Sequence, residues 1–287
     1  MPLGAGRRGA GRMELSVIND AHVHFFASGW RGTAAAPDGD VREYEELRAE
    51  HGIDRVLAVG YEGEARYAGN NEHVARLAEG RPWLAPLAYL DLRPQAGRAV
   101  TPDTVAAWLG RGFAGLSVYC PDDGAARAAD AALASLAGPL TRSAAVVSLN
   151  CPAPRIPLLS GALARLAGAC VMVSHLGQPG PADAPAPRER LAGLLAAARL
   201  PHVGVKLSGA YAAGAGALRY ARLLLETFGP HRLYWGSDYA PCLDAGPFAD
   251  TVTAFAALPL SPAERRLVTH DNLGAALDRV TGPGRTT

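Results

Sequence analysis

The chain has 287 residues, 49% of them hydrophobic, with 28 Lys and Arg against 27 Asp and Glu for a net charge of +1. That balance gives no electrostatic case for nucleic acid or an anionic membrane surface as the main partner, and no apolar run reaches the roughly 20 residues that span a bilayer. The four cysteines, Cys120, Cys151, Cys170 and Cys242, are widely spaced and form no CxxC pair, which argues against a disulfide scaffold or a zinc ribbon and suits a reducing cytoplasm.

Residues 1–12, MPLGAGRRGAGR, are rich in Gly and Arg and lack the apolar centre of a secretory signal. They read as a disordered lead before a domain over 13–287. An apolar run from Leu15 to Ile18 opens the first strand, which leads into Asn19-Asp20-Ala21-His22-Val23-His24. After a Gly-, Ala- and Pro-rich loop, Val41 to His51 reads as a helix stopped by Gly52. Val56 to Val59 is a compact second strand, and Asn70-Asn71-Glu72 starts a helix running to about Gly80. Leu84 to Leu90 gives a third strand, and Thr101-Pro102-Asp103 caps the next helix with proline in its first turn.

The alternation continues to the end of the chain. Strands are expected at Phe113–Tyr119, Ala145–Leu149, Val171–Ser174, Val203–Leu207 and Leu233–Trp235. Helices are expected at Ala125–Ala137, Leu158–Leu166, Arg188–Ala198, Leu218–Phe228, Phe248–Ala257 and Pro262–Leu277. Eight strands, each followed by a helical segment, point to a single α/β domain of the closed (β/α)8 TIM-barrel type. An open doubly wound sheet would be expected to carry a glycine-rich phosphate fingerprint after strand one, and none is there.

In such a barrel the C-terminal strand ends carry the chemistry. Here those ends read His22 and His24, Glu62, Asp91, Tyr119 and Cys120, Asn150 and Cys151, His175, Lys206 and Ser208, and Asp238. Two histidines two residues apart on a strand share a face. Ring closure brings strand eight beside strand one, so Asp238 is expected against that pair, with His175 facing them across the mouth. Three imidazoles and a carboxylate converging at one end are costly to bury without a role. Asp238 is the candidate general base and His175 the candidate for polarising a carbonyl. Lys206 and Ser208 share a face, and Lys206 pointing inward would orient an anionic substrate. Tyr119, Asn150 and Tyr211 are further candidate substrate contacts. The cysteines after strand ends read as small buried thiols, with a thiolate ligand as the alternative. His51, His73, His202, His231 and His270 are expected at the surface.

Asp20-Ala21-His22-Val23-His24, Val173-Ser174-His175-Leu176-Gly177, Val205-Lys206-Leu207-Ser208-Gly209 and Trp235-Gly236-Ser237-Asp238-Tyr239 together resemble the amidohydrolase superfamily. They are most similar to its amidohydrolase-2 branch, which includes 2-pyrone-4,6-dicarboxylate lactonase and sugar lactonases. The resemblance runs from strand one to strand eight. It departs from the metal-dependent pattern at strand five, which offers Asn150 where a histidine is usual, and at strand four, which offers Ser117-Val118-Tyr119 and no lysine. After Asp238 the usual aromatic-Pro-His is replaced by Tyr239-Ala240-Pro241-Cys242. The resemblance therefore implies either no cofactor or one divalent ion, zinc or manganese, on His22, His24 and Asp238, with His175 as a further ligand. It implies a hydrolase that opens a lactone or related cyclic ester of a small carboxylated metabolite. A metal-dependent decarboxylase or amide hydrolase, and a non-catalytic metabolite-binding barrel, are the alternatives. The partner is a small molecule, and a homo-oligomer is left open. The Ala-, Gly- and Arg-heavy composition fits a bacterial, cytoplasmic enzyme of catabolism or secondary metabolism.

Overall fold

The short apolar runs resolve into eight parallel strands that follow one another in chain order around a single (β/α)8 barrel. They are β1 (Ile18–Val23), β2 (Ile53–Val59), β3 (Leu84–Tyr89), β4 (Gly115–Tyr119), β5 (Val146–Asn150), β6 (Cys170–Val173), β7 (Val203–Leu207) and β8 (Leu233–Trp235). The computed structural model describes residues 17–32, 38–92, 100–181, 184–209 and 215–280. Residues 1–12, Leu15 and Tyr211 lie outside them.

The helices between strands are α1 (Gly39–His51), α2 (Asn70–Glu79), α3 (Pro102–Gly110), α4 (Asp123–Arg142), α5 (Ser160–Arg165), α6 (Pro187–Arg190), α7 (Ala192–Ala197) and α8 (Ala215–Phe228). After β8 come α9 (Phe248–Thr253), α10 (Pro262–Arg266) and α11 (Asn272–Arg279). Local chemistry sets their starts. Thr101 and Ser261 each close a capping box over α3 and α10, and Asp122 accepts the Ala125 N–H at the start of α4. Packing overrides two expected boundaries. Helix α4 continues past Gly138, because Leu136, Pro139 and Leu140 bury against the strands. The stretch expected as one helix over Pro262–Leu277 contains a π-helical turn, Leu267–Asp271, between α10 and α11.

Strand alternation sorts side chains into two layers. Outward residues such as Val147, Leu149, Val203 and Val205 pack under the helices with Leu133 and Leu140. Inward residues near the strand starts, among them Leu57, Leu87, Val146 and Met172, fill the barrel floor. Further along, the inward positions of β5, β6 and β7 turn polar: Ser148 and Asn150 on β5, Ser174 after β6, and Lys206 on β7. The register Tyr119↔Asn150 and Lys206↔Tyr234 keeps these positions level across neighbouring strands.

Strands β1 and β8 are too short and irregular to zip along their length; β1 also shifts register twice against β2. The barrel is closed instead by the buried Asp20 carboxylate. Its Oδ1 accepts the N–H of His22 (3.0 Å) and of Ser237 (2.9 Å), and its Oδ2 accepts the Tyr44 hydroxyl (2.8 Å). Beyond it the Asp238 N–H donates to the His22 carbonyl (2.8 Å), and Val23 bridges to Tyr239.

One histidine departs from its expected surface position. His73 is 2% exposed, because it falls on the inner face of α2 with Asn70, Val74 and Leu77, the spacing of one helical stripe. Its Nδ1 lies 3.7 Å from Asp38 and 3.2 Å from Arg76. His51, His202 and His270 are half-buried and His231 is exposed.

Removing the closing carboxylate strands three buried donors. Asp20→Ala is expected to destabilise the fold by about 3 kcal/mol or more, read as a lowered urea midpoint, whereas Tyr44→Phe should cost only about 1 kcal/mol. A second carboxylate makes stability depend on pH. Asp40 accepts the Phe26 N–H (2.6 Å) and the Val41 N–H (2.9 Å), and burial raises its pKa from 3.8 to about 6. The native state then holds this proton more tightly than the unfolded chain does. The Asp40 contribution is most favourable below about pH 4 and is lost as pH rises through 6, by up to about 3 kcal/mol. Urea unfolding of Asp40→Asn between pH 4 and 7 should show a correspondingly flatter pH dependence than the wild type.

Candidate active site

The end of β1, the turn after β6 and the turn after β8 bring three imidazoles and a carboxylate to one point. His22 Nε2 and His24 Nε2 lie 3.1 Å apart, and Asp238 Oδ1 is 3.6 Å from the first and 3.8 Å from the second. His175 Nδ1 lies 3.9 Å from Asp238 Oδ2, and its ring centre is 4.5 Å from that of His22. The convergence expected of His22, His24, His175 and Asp238 is therefore present.

Neighbours fix the orientation of each ring. His24 Nδ1 faces the Val59 carbonyl at 2.7 Å, and a carbonyl only accepts, so the proton sits on Nδ1 and the Nε2 lone pair faces the cluster. His22 Nδ1 faces Lys206 Nζ at 3.4 Å. His175 Nδ1 lies 3.1 Å from the Ser208 hydroxyl. Burial holds His24 at about 4 and His175 at about 3, with positive or imidazole neighbours adding to the effect, and pushes His22 well below its ordinary value. All three rings are neutral near pH 7. Burial acts in the opposite sense on Asp238, 8% exposed, and with Asp20 nearby raises its carboxyl well above the usual range.

Backbone geometry around the cluster is held against local preference. Asp238 (φ 63°) and His175 (φ 55°) both occupy the left-handed region, which non-glycine residues rarely enter. Gly209 leaves the space they need: a Cβ there would stand 2.6 Å from His175 Nδ1 and 3.0 Å from Asp238 Oδ2. The glycine of the Ser208-Gly209 pair is thus as necessary to the cluster as the serine.

The structure corrects the role expected of Lys206. The side chain points inward, but at 0% exposure it lies beneath His22, donating to Ser148 Oγ at 2.7 Å. It cannot reach a substrate carboxylate from there. Burial lowers its pKa to about 7, so a neutral amine is accessible near neutral pH and can accept a hydrogen bond from His22 Nδ1–H. Ser208 is likewise fully buried and serves His175. Tyr119 and Asn150 do reach open space. They line both a cavity of about 210 Å³ that includes Asp238 and an adjoining one of about 630 Å³. Gln178 donates to Asn150 Oδ1. Phe26 and Tyr61, which also line the inner cavity, were passed over in the sequence. Each stands two residues beyond a residue already known to point inward, His24 and Val59, so the period of two was their signal.

The donor set suits a divalent ion. His22, His175 and Asp238 each offer an atom within 4.8 Å of the others, and His24 adds a second Nε2 beside His22. Neutral imidazoles and a carboxylate are the ligands that zinc takes, and the contacts of His24 to Val59 and of His22 to Lys206 are the outer hydrogen bonds that orient such ligands. All four cysteines are free and buried, and none joins this group among the described residues.

The sequence model of the amidohydrolase family matches residues 19–273. No curated protein matches the chain in sequence. Among solved structures, an amidohydrolase from Burkholderia multivorans with bound zinc is 23% identical with a TM-score of 0.70, over 92% of this chain and 99% of that one. A putative 2-pyrone-4,6-dicarboxylic acid hydrolase from Pseudomonas putida is 22% identical with a TM-score of 0.71, over 92% and 98%. A probable 2-pyrone-4,6-dicarboxylic acid hydrolase from Acinetobacter baumannii with citric acid bound is 18% identical with a TM-score of 0.64, over 91% and 99%. At these identities the likeness is one of fold. Among the described residues no helix is long and apolar enough to cross a membrane.

Elemental analysis after dialysis against zinc or manganese should find close to one ion per chain. Occupancy should collapse in His22→Ala and Asp238→Ala and persist in Tyr119→Phe. Equal occupancy in all four proteins would show that any ion binds elsewhere.

Proposed function

The chain belongs to the amidohydrolase family, and from that membership we propose that it is a hydrolase that opens a lactone or related cyclic ester by water attack, with Asp238 as the general base. The observation that carries this reading is the Asp238 carboxylate, set among three neutral imidazoles at the floor of an open cavity. The cyclic ester in the name of the Pseudomonas putida and Acinetobacter baumannii proteins supports the choice of bond.

Each residue has a role that follows from its position. Asp238 Oδ1 faces His22 and His24, which leaves Oδ2, on the His175 side, to take a proton from water. A carboxylate whose pKa is raised by burial is a stronger base than one in water. His175, neutral and lining the cavity, has its second ring nitrogen available to donate to the ester carbonyl as negative charge develops there. Ser208 and Gly209 hold that ring in place. The Tyr119 phenol, kept protonated by burial, is a second donor at the same cavity, and Asn150 orients the substrate.

A divalent ion would be held by His22, His24 and Asp238, with His175 alongside, and would supply Lewis acidity toward the carbonyl and acidify water. The bound zinc of the Burkholderia multivorans protein supports that expectation. The serine, lysine and main-chain contacts of the chain orient the imidazoles, and burial keeps them neutral.

The test is turnover of a lactone panel followed by acid release. Asp238→Asn should lower kcat by about 10²–10⁴-fold with little change in KM, while circular dichroism shows the fold intact. Because the ionised carboxylate is the active form, kcat should fall as pH drops, with an acid limb above the ordinary carboxylate range near 4. Wild-type kcat in Asp238→Asn would overturn the assignment.

A further inference from the structure

The two cavities over Asp238 differ from a site built for an anion. The inner one is a slot whose lining includes four aromatic side chains, Phe26, Trp30, Tyr61 and Tyr119. Phe26 stacks within 8° of the His24 ring plane at 5.7 Å and lies 4.0 Å from Tyr67, while Trp30 is within 3° of parallel to Tyr67 at 6.2 Å. Tyr61 and Tyr119 pack at 4.7 Å, Tyr89 joins both at 5.5 and 5.8 Å, and Tyr61 reaches Tyr67 at 5.8 Å, so the aromatic lining is continuous. Tyr61, Tyr119 and Asn150 line the outer cavity as well, so the slot opens directly into the larger space.

The charged residues on this lining are acidic. Besides Asp238 they are Glu64 in the slot and Asp122 in the outer cavity, and no Lys or Arg lines either cavity among the described residues. The described arginines nearest the cavities are each ion-paired, Arg66 to a residue of the slot itself. Arg66 pairs with Glu64 at 2.9 Å, Arg31 with Asp244 at 2.9 Å, and Arg155 with Asp123 at 2.9 Å. Lys206 is sealed beneath His22.

A substrate carboxylate entering the slot would lose its hydration, meet no Lys or Arg among the described lining residues and approach Asp238, a combination that disfavours binding. A flat ring system without charge would lose little hydration and gain contact with the aromatic lining. The discrimination comes from exclusion as much as attraction.

We propose that the substrate is an uncharged, planar cyclic ester of the aryl-fused lactone class, its ring system held against the aromatic lining of Phe26, Trp30, Tyr61 and Tyr119 with the ester carbonyl directed at His175 and Asp238. This rests on the hydrolase reading above and replaces the carboxylated metabolite expected from the sequence, whose supposed partner was Lys206.

The experiment pairs kinetics with binding on the full-length protein. Dihydrocoumarin and a ring-carboxylated dihydrocoumarin are compared as substrates, and the unreactive lactam dihydroquinolinone and its ring-carboxylated counterpart are compared as ligands by calorimetry. The uncharged member is expected to lead by at least about 100-fold in kcat/KM and by a similar factor in affinity. In Asn150→Arg, which places a cation at the junction of the two cavities, that ratio should shrink at least tenfold. If neither lactone is turned over while the uncharged lactam binds preferentially, the hydrolase reading fails and the assignment of substrate class stands. Equal or preferential binding of the carboxylated lactam, or no binding of either, overturns the assignment.

Discussion

One buried carboxylate holds the site and the barrel together. Asp20 sits where β1 must meet the chain leaving β8, and it accepts from the His22 main chain, the Ser237 main chain and the Tyr44 hydroxyl. Because β8 is only three residues long, a conventional ladder could not close this seam. A side chain that bonds both strands at once does so, and it fixes the register between His22 and Asp238 in the same step. The distances within the imidazole–carboxylate cluster are therefore consequences of barrel closure. Burial makes Asp20 harder to ionise, raising its pKa to about 6, while its donors act in the opposite sense.

The electrostatics of the cluster follow from the same enclosure. Burial alone is enough to keep the histidines neutral and to make Asp238 more basic, so the groups are poised without a finely tuned partner for each. What needs more specific construction is direction. His175 and Asp238 reach their positions through left-handed backbone, a local cost that the closed barrel and the space left at Gly209 offset. Lys206 lies below the cluster and faces His22 and Ser148, where it is placed to orient the His22 ring.

The machinery and the lining come from different parts of the chain. Histidines and carboxylate sit at strand ends or immediately beyond them, where the fold dictates their positions. The aromatic walls come from residues further out, such as Trp30 and Tyr61, on connections whose sequence is independent of barrel closure. A barrel shared with distant structures at 22–23% identity can thus carry a lining of its own. Substrate choice is better read from the charge and shape of the walls than from the likeness of the fold.

Much of this was legible in the linear chain. Alternating apolar runs and helical stretches determined the eight-stranded barrel, because local periodicity and strand count leave few topologies open. The two-residue spacing of His22 and His24 and their relation to Asp238 followed once the ring was closed. Other features were hidden, each because it depends on depth or distance that pattern does not encode. Alternation showed that Lys206 points inward but not that His22 covers it. The helical stripe that buries His73 emerges only when α2 has a surface to lie against. The seam at Asp20 joins residues 217 positions apart, and the acidic, aromatic character of the pocket is a property of several loops meeting in space. The sequence by itself determined the strands and the identities of the reactive groups, since those depend on neighbours along the chain. Only the tertiary structure decided which groups meet, how deeply they lie and what walls surround them, since those depend on neighbours brought together by packing.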